Sequence, residues 1–518
     1  MAVVTVQVGQ CGNQLGASLF QALHEHAAPR PTASAGAAVA AARADCRRSF
    51  FRDEGVARAV IVDTEPKVIQ RIVSGGDRLQ RGEGQQHRQG AGGGSGGADR
   101  ATPAGNSTRR PGRRSTRHRR TPDTYGSGGS GGPGGIDGGR GWMYDSRTQV
   151  CCHAQGGAAN NWAYGYHVHG SAFAEACLES VRREAEQCDR LSGLCVLQSA
   201  AGGTGSGLGT YLTEALRDHV PSAFVLNAVV CAHSSGEVIL QNYNTLFTLS
   251  KLATCSDGIL VIENEAATTV CQKLLRIDRP SHADLNEVIC TSLTGALVPT
   301  SEASEVGGST GRTDSGRLHL GEKLVHLCPN KDFMFLGASM VPQMPDRSRE
   351  FTSNTWEALT RRAYQMHITG AHADLGLDWR KEIHSGVGAR AGLNQSVSSL
   401  LTFHGTPSLG EPSRSPPSTP PPPADCFRKR GLYADWSPTP LMECQSPLRL
   451  HGHDRAISLV SNSQAVLGVL ERAVERSRGM FMAGAYVHQY AKFGAERHDF
   501  DEAFLGIEQA VENYHSLG

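Results

Sequence analysis

The sequence predicts an α/β protein built on a mainly parallel sheet with helices on its faces. Three observations predict it. Short, largely apolar runs recur as strand candidates: Ala2–Val8, Arg58–Asp63, Leu194–Leu197, Ala223–Cys231 and Gly258–Glu263. Helical spacing fills intervals between them, after Gly9, after Gly209 and over Tyr243–Leu252, the alternation that crossover helices impose on a parallel sheet. Glycine-rich or carboxylate-bearing turns stand where several of these runs end, and open α/β sheets take their ligands at strand ends.

Each element follows from its residues. Ala2–Val8 reads as a strand, followed by a Gly-containing turn and a helix through about Glu25. Arg58–Asp63 is a second buried strand that ends on a carboxylate. From about 75 to 141 the chain is Gly, Ser, Arg and Gln with almost no large apolar residue. Such an insertion buries too little surface to offset chain entropy and is expected to be disordered. Ordered sequence resumes near Trp142, and α/β alternation runs to about Pro299. Residues 301–316 form a second polar break, after which Ser398–Phe403 reads as a strand of a smaller mixed region. Residues 405–425 include Ser415-Pro416-Pro417-Ser418-Thr419-Pro420 and read as a polyproline-type linker. From Ala465 onward, Val466, Leu467, Leu470 and Val474 recur at helical spacing. The final residues, Tyr514-His515-Ser516-Leu517-Gly518, carry no acidic tail.

Composition bounds the function. At 518 residues the chain has room for two or three domains. The net charge of +1 hides an asymmetry: residues 100–120 hold eight Arg and no acid, leaving the remainder at −7. The 14 Cys form no C-x-x-C pair, so reduced thiols are expected rather than a zinc module or redox motif. No apolar run approaches the ~20 residues of a membrane span, and Met1–Val8 has no basic leader and reads as a strand.

Four turns carry chemistry. The most informative is Ser199-Ala200-Ala201-Gly202-Gly203-Thr204-Gly205-Ser206-Gly207-Leu208-Gly209, between a strand and a helix. Its bare backbone suits phosphate at a helix N-terminus, yet no Lys follows the glycines and no G-x-G-x-x-G fits. The others are Gly9-Gln10-Cys11-Gly12-Asn13-Gln14, Asp63-Thr64-Glu65-Pro66 and Gly157-Ala158-Ala159-Asn160-Asn161-Trp162. Two carboxylates at Asp63 and Glu65 suit Mg²⁺, directly or through water. Each turn taken alone is also compatible with an ordinary tight turn.

Together and in this order, the four turns resemble the tubulin family. The resemblance implies a tubulin-like fold: a Rossmann-type GTP-binding domain over 1–280, a core helix over 281–300, a mixed intermediate domain over 301–455 and C-terminal helices over 456–518. It implies GTP or GDP with Mg²⁺ as ligands. Gln10, Cys11, Ser199, Gly202, Gly203, Thr204 and Gly205 would hold the α- and β-phosphates, while Asp63, Glu65, Ala158 and Asn160 would sense the γ-phosphate and Mg²⁺. Glu237 and Gln241 match ribose contacts, and Asn264 and Asn286 match the guanine-reading asparagines, whose amides offer donor and acceptor together.

The chain also departs from the family. His282 stands where a Tyr stacks on the base, Ala159 where a Gly is usual, and Gln241 where a carboxylate is usual. Aligning His326-Leu327-Cys328-Pro329 with the family pattern puts Glu322 at the acid that tubulins offer to the next subunit's nucleotide, with His319 and Gly321 departing beside it. Several blocks resemble delta-tubulins, above all Val487-His488-Gln489-Tyr490-Ala491-Lys492-Phe493-Gly494. That resemblance implies head-to-tail contact with other tubulin subunits, and a cytoskeletal place in microtubule walls of centrioles and basal bodies, with a role in triplet assembly and cilia. Whether such a subunit hydrolyses GTP or only binds it stays open. The Arg-rich segment is compatible with a nuclear signal, nucleic acid or an acidic microtubule surface. Only Tyr125 lies near it as an aromatic, which argues against base stacking.

Overall fold

The computed structural model describes residues 1–28, 37–74, 141–151, 157–236, 238–302, 317–345, 348, 354–381, 392–405 and 424–517. The expected disordered stretches at 75–141, 301–316 and 405–425, with the Arg-rich segment, lie almost wholly outside these residues.

Seven strands run parallel: β1 (Ala2–Val8), β2 (Ala59–Asp63), β3 (Gln149–Cys151), β4 (Leu191–Ser199), β5 (Phe224–Cys231), β6 (Gly258–Glu263) and β9 (Phe335–Val341). They are joined by the short β7 (Thr300–Glu302) and β8 (Arg317–Leu318), and by β10 (Ser396–His404), β11 (Leu441–Ser446) and β12 (Ala456–Ser463). The order across the sheet is β3-β2-β1-β4-β5-β6-β9-β12-β10-β11-β7-β8. All seven residues of β1 are buried, as expected of a parallel strand covered on both faces. Its register is pinned on both sides, Val6 opposite Val60 of β2 and Val196 of β4.

Thirteen helices of the described residues cover the sheet: α1 (Gly9–Ala27), α2 (Ala37–Phe50), α3 (Pro66–Val73), α4 (Gly170–Glu186), α5 (Gly209–His219), α6 (Gln241–Cys255), α7 (Asn264–Thr269), α8 (His282–Leu297), α9 (Leu320–Leu327), α10 (Trp356–Thr369), α11 (Leu467–Met482), α12 (Val487–Ala491) and α13 (Arg497–His515). Leu15, Leu19 and Leu23 of α1 pack with Leu285, Ile289 and Leu293 of α8 on one face. Phe173, Cys177 and Val181 of α4 pack with Leu212 and Leu216 of α5 on the other. Ser281 caps α8 by accepting from Asp284 N, while Asp284 Oδ2 accepts from Ser281 N at 2.8 Å, a reciprocal box that sets where this helix starts. No helix among the described residues is long and apolar enough to cross a membrane. The twelve described cysteine side chains are free thiols, most of them buried.

Two local readings change. Residues 9–14 are the opening turns of α1, because the helix begins directly at the end of β1. Residues 456–463, grouped with the C-terminal helices on sequence, form β12 between β9 and β10. Its Ser458 and Asn462 obscure the strand pattern, yet they are buried with partners. Ser458 Oγ lies 2.9 Å from His404 Nε2, and Asn462 Nδ2 donates to the carbonyls of Leu327 (2.9 Å) and Phe333 (2.8 Å). The C-terminal helix is tied to the same strands: Tyr514 OH donates to Asn462 Oδ1 at 2.6 Å and accepts from Phe335 N at 3.0 Å.

Buried His367 on α10 lies 3.4 Å from Ser396 Oγ and 3.3 Å from Ser399 Oγ, and burial lowers its pKa to about 4. The unfolded chain therefore takes up this proton first as pH falls, so the neutral imidazole's contribution is present above about pH 6.5 and lost towards pH 4. A His367→Gln variant has no such proton to gain. Its stability deficit against the parent protein, read from urea midpoints, should shrink by about 3 kcal/mol between pH 7 and 4. A deficit that does not change with pH would show that His367 titrates normally.

Candidate functional site

The sheet order reverses direction between β1 and β4. Helices leaving these two neighbours depart to opposite faces, which opens a crevice beyond their carboxyl ends. Two of the four turns flank it. After β1 comes the first turn of α1, with Gln10 exposed and Cys11 half-buried. β4 ends on Ser199, whose Oγ accepts from Ala201 N at 3.2 Å, and a wide helical turn over Thr204–Leu208 follows and continues into α5. Gly207 N already donates to Gly203 O at 2.9 Å and Gly209 N to carbonyls within the wide turn. The N–H groups left for an anion are therefore those at the start of α1 and at the start of the Thr204–Leu208 turn, where the positive dipole ends also lie.

Absent side chains bring the turns together. Gly9 has φ +73°, and a Cβ there would lie 2.9 Å from Gly205 N. A Cβ on Gly203 would lie 2.5 Å from the carbonyl oxygen of Ala158 and 2.7 Å from Asn161 N. The Gly-rich turn therefore touches the first turn on one side and the third on the other. Burial pushes the Cys11 thiol up to about 11, with Ser199 hydrogen-bonded beside it, so it lines the crevice as an uncharged thiol.

The second turn joins through polar contacts. Thr64 Oγ1 and Thr204 Oγ1 share a 2.9 Å hydrogen bond. Asp63 is buried at 3% exposure and accepts from Glu65 N (3.1 Å) and Asn13 Nδ2 (3.4 Å). Burial raises its pKa to about 6, and a nearby cation would relieve that cost. The exposed Glu65 carboxylate abuts the third turn, 2.9 Å from where a Gly157 Cβ would stand. Among the described residues no group of three or more His, Cys, Asp or Glu is arranged to hold a metal. The pair Asp63 and Glu65 suits Mg²⁺, which commonly takes one or two carboxylates and leaves its other positions to phosphate and water.

The third turn holds two consecutive non-glycine residues in the left-handed region, Ala159 at φ +48° and Asn160 at φ +53°. Asn tolerates that conformation and Ala does not, which gives a physical reason for the Gly usual at position 159. Ala158 is buried and packs on Gly203, while Asn160 is exposed at the mouth.

Four of the remaining predicted residues lie in the first two turns of helices. Asn264 opens α7 directly after β6, at the carboxyl edge of the sheet. His282 and Asn286 lie in the first two turns of α8. Asn286 shares a helix face with Cys290, four residues on, and Cys290 Sγ donates to Leu15 O of α1 at 3.5 Å. Gln241 opens α6, but its Nε2 donates to His233 O at 3.0 Å, so its amide also braces the turn after β5. Glu237 lies outside the described residues.

Glu322 lies elsewhere. It is exposed in the first turn of α9, where its Oε2 accepts from His319 N at 3.0 Å. The preceding Gly321 N donates to Ser192 Oγ near the start of β4, whereas Ser199 ends that strand. The nine residues of β4 span about 26 Å, so Glu322 stands at the opposite edge of the sheet from the four turns.

Sequence reasoning passed over the residues that fasten the turns to one another: Asn13, Thr64 and Asn244. Asn13 and Thr64 sit inside motifs already singled out, but an Asn or Thr in a polar turn carries no sign of its partner. Asn13 Nδ2 also donates to Val62 O at 3.0 Å.

A parallel sheet with a ligand crevice at its switch point and four converging phosphate-type turns defines a nucleotide-binding protein. The model of the Tubulin/FtsZ family, GTPase domain, matches residues 2–104 and 142–272. The tubulin delta chain of Mus musculus is 32% identical over 542 aligned residues, covering 100% of both chains, and that of Homo sapiens 30% over 540, again covering 100% of both. The human tubulin beta-1 chain is 24% identical over 519 residues, covering 99% of this chain and 93% of its own. The chain belongs to the tubulin family. It resembles the delta chains more than this beta chain, and as a tubulin-type cytoskeletal protein it carries a guanine-nucleotide-binding domain.

Two substitutions probe the geometry. Gly203→Ala should drive the third and fourth turns apart and weaken guanine nucleotide binding by about tenfold or more in calorimetry, with the circular dichroism spectrum retained; unaltered affinity would mean that the two turns do not act together. Ala159→Gly should release left-handed strain and raise the unfolding free energy by about 1 kcal/mol. A lower denaturation midpoint would contradict the strained backbone.

Proposed function

We propose that this chain is a delta-tubulin-like subunit that binds GTP or GDP with Mg²⁺ and supports triplet microtubules of centrioles and basal bodies, and through them ciliogenesis. The observation that carries the nucleotide reading is the convergence of the four turns on the β1/β4 crevice, with Gly9 and Gly203 admitting backbone where a side chain would clash. In this reading the first turn of α1 and the Gly-rich turn from Ser199 to Gly205 that leads into α5 cradle the diphosphate. Asp63 and Glu65 orient Mg²⁺, and the turn at 157–162 faces the third phosphate. Asn264 and Asn286 read guanine, and His282 stacks on it. Full-length similarity to delta chains supports the cellular role. Imaging the tagged protein in ciliated cells tests it: labelling that never coincides with centrioles or basal bodies would overturn it.

We assign Glu322 as the acid presented to the next subunit in a head-to-tail contact. Its position at the sheet edge remote from its own nucleotide turns supports action on a neighbour. A second reading, a subunit that binds GTP without turning it over, is favoured by the same residue's bond to His319 N, which draws one carboxylate oxygen into capping its own helix. Phosphate release in mixtures with α/β-tubulin separates the two. Under the first reading, Glu322→Ala abolishes release that depends on this chain while leaving GTP binding intact. Release that survives the substitution removes Glu322 from the reaction, and no chain-dependent release from the unsubstituted protein establishes the second reading.

A further inference from the structure

Four hydrogen bonds converge on one side chain that lies outside the nucleotide turns. Asn244 on α6 is fully buried. Its Nδ2 donates to Ala201 O in the fourth turn at 2.6 Å and to Asn160 O in the third at 2.9 Å. Its Oδ1 accepts from Trp162 N at 2.9 Å and from Tyr490 OH at 2.5 Å. Both amide donors and both acceptor directions are thereby used. Asn161 Nδ2 adds a second link to the C-terminal helices by donating to Gln489 O at 3.2 Å. Around this polar centre the rings form a continuous stack. Trp162 lies on Phe247 at 4.8 Å, and Phe247 lies on Tyr490 at 5.6 Å, in near-parallel planes.

The two turns are not equally dependent on Asn244. The fourth is held independently, by Ala200 N donating to Val230 O (3.0 Å), by the Gly9–Gly205 approach and by α5. The third turn runs through two left-handed residues, a conformation that persists only where surrounding contacts impose it. Asn244 supplies two of those contacts, at the carbonyl of Asn160 and at the N–H of Trp162 two residues on. We propose that Asn244 is the positioning residue that registers the third turn against the Gly-rich turn, and that Tyr490 ties this register to the C-terminal helices. This rests on the reading above in which the third turn faces the third phosphate. Loss of the register then costs triphosphate affinity more than diphosphate affinity.

The test uses the full chain and measures GTP and GDP affinities with Mg²⁺ by calorimetry, alongside the thermal midpoint without nucleotide. Asn244→Asp keeps the shape and the acceptor but removes both donors, turning a carboxylate towards two carbonyl oxygens. It should lower GTP affinity by about tenfold relative to GDP. Tyr490→Phe removes the hydroxyl that donates to Asn244 Oδ1 and lies 3.5 Å from Leu240 O. It leaves Asn244's contacts to both turns in place and should shift the same ratio in the same direction by a smaller factor, which keeps the proposal testable if the Asp variant does not fold. A residue that merely fills space would tolerate the isosteric Asp, or would lower the thermal midpoint without moving the ratio. If the unsubstituted protein binds both nucleotides and neither variant changes their ratio, the positioning role is overturned and the nucleotide site stands. If the unsubstituted protein binds neither nucleotide, the nucleotide reading fails and this inference with it.

Discussion

The parallel pairing of β1 with β4 is the constraint on which the rest depends. It places two strand ends side by side and sends their helices to opposite faces, so two helix N-termini open onto one crevice. Backbone can close over that crevice only if neighbouring turns approach within contact distance. Gly9 against Gly205 and Gly203 against Ala158 meet that requirement, since a methyl group at either position would collide with backbone. Glycine at these two places is therefore a consequence of strand order.

Around the crevice, features costly to the empty fold suit it to a ligand. Asp63 is a carboxyl buried in a setting that disfavours its charge, which donors from Asn13 and the backbone of Glu65 and Thr64 offset in part. Ala159 holds a left-handed backbone that its methyl opposes. Strain and desolvation of this kind gather at functional sites because the surrounding structure compels them. Here the compelling contacts come from α6 and the C-terminal helices, through Asn244 and Tyr490. The helical end of the chain is in this way part of the site's support.

The same sheet gives the molecule two unlike edges. One carries the four turns, and the other carries α9 and Glu322 against the start of β4. If Glu322 acts on a neighbour's nucleotide as proposed above, these two edges would meet in a heterologous, head-to-tail association, which extends a chain of subunits rather than closing a pair. Strands β9 to β12 and the C-terminal helices brace this arrangement, with Tyr514 fastening the last helix to the carboxyl-side sheet.

By itself the sequence determined the α/β class, the carboxyl ends of β1, β2, β5 and β6, the four ligand-type motifs and their kinship with tubulins. These are local matters: apolar runs, helical spacing and glycines at strand ends are written in consecutive residues. It also marked Ala159 and His282 as departures, because a motif exposes what stands out of place within it. Only the tertiary structure decided that residues 9–14 are helix, that 456–463 is a strand, and that Asn13, Thr64 and Asn244 fasten the turns together. The reason is physical. A buried Asn or Ser reads as polar in sequence, whatever satisfies it. Asn244 gains its meaning from Asn160, Ala201 and Tyr490, which lie up to 246 positions away in the chain and meet only when the sheet and its helices have packed.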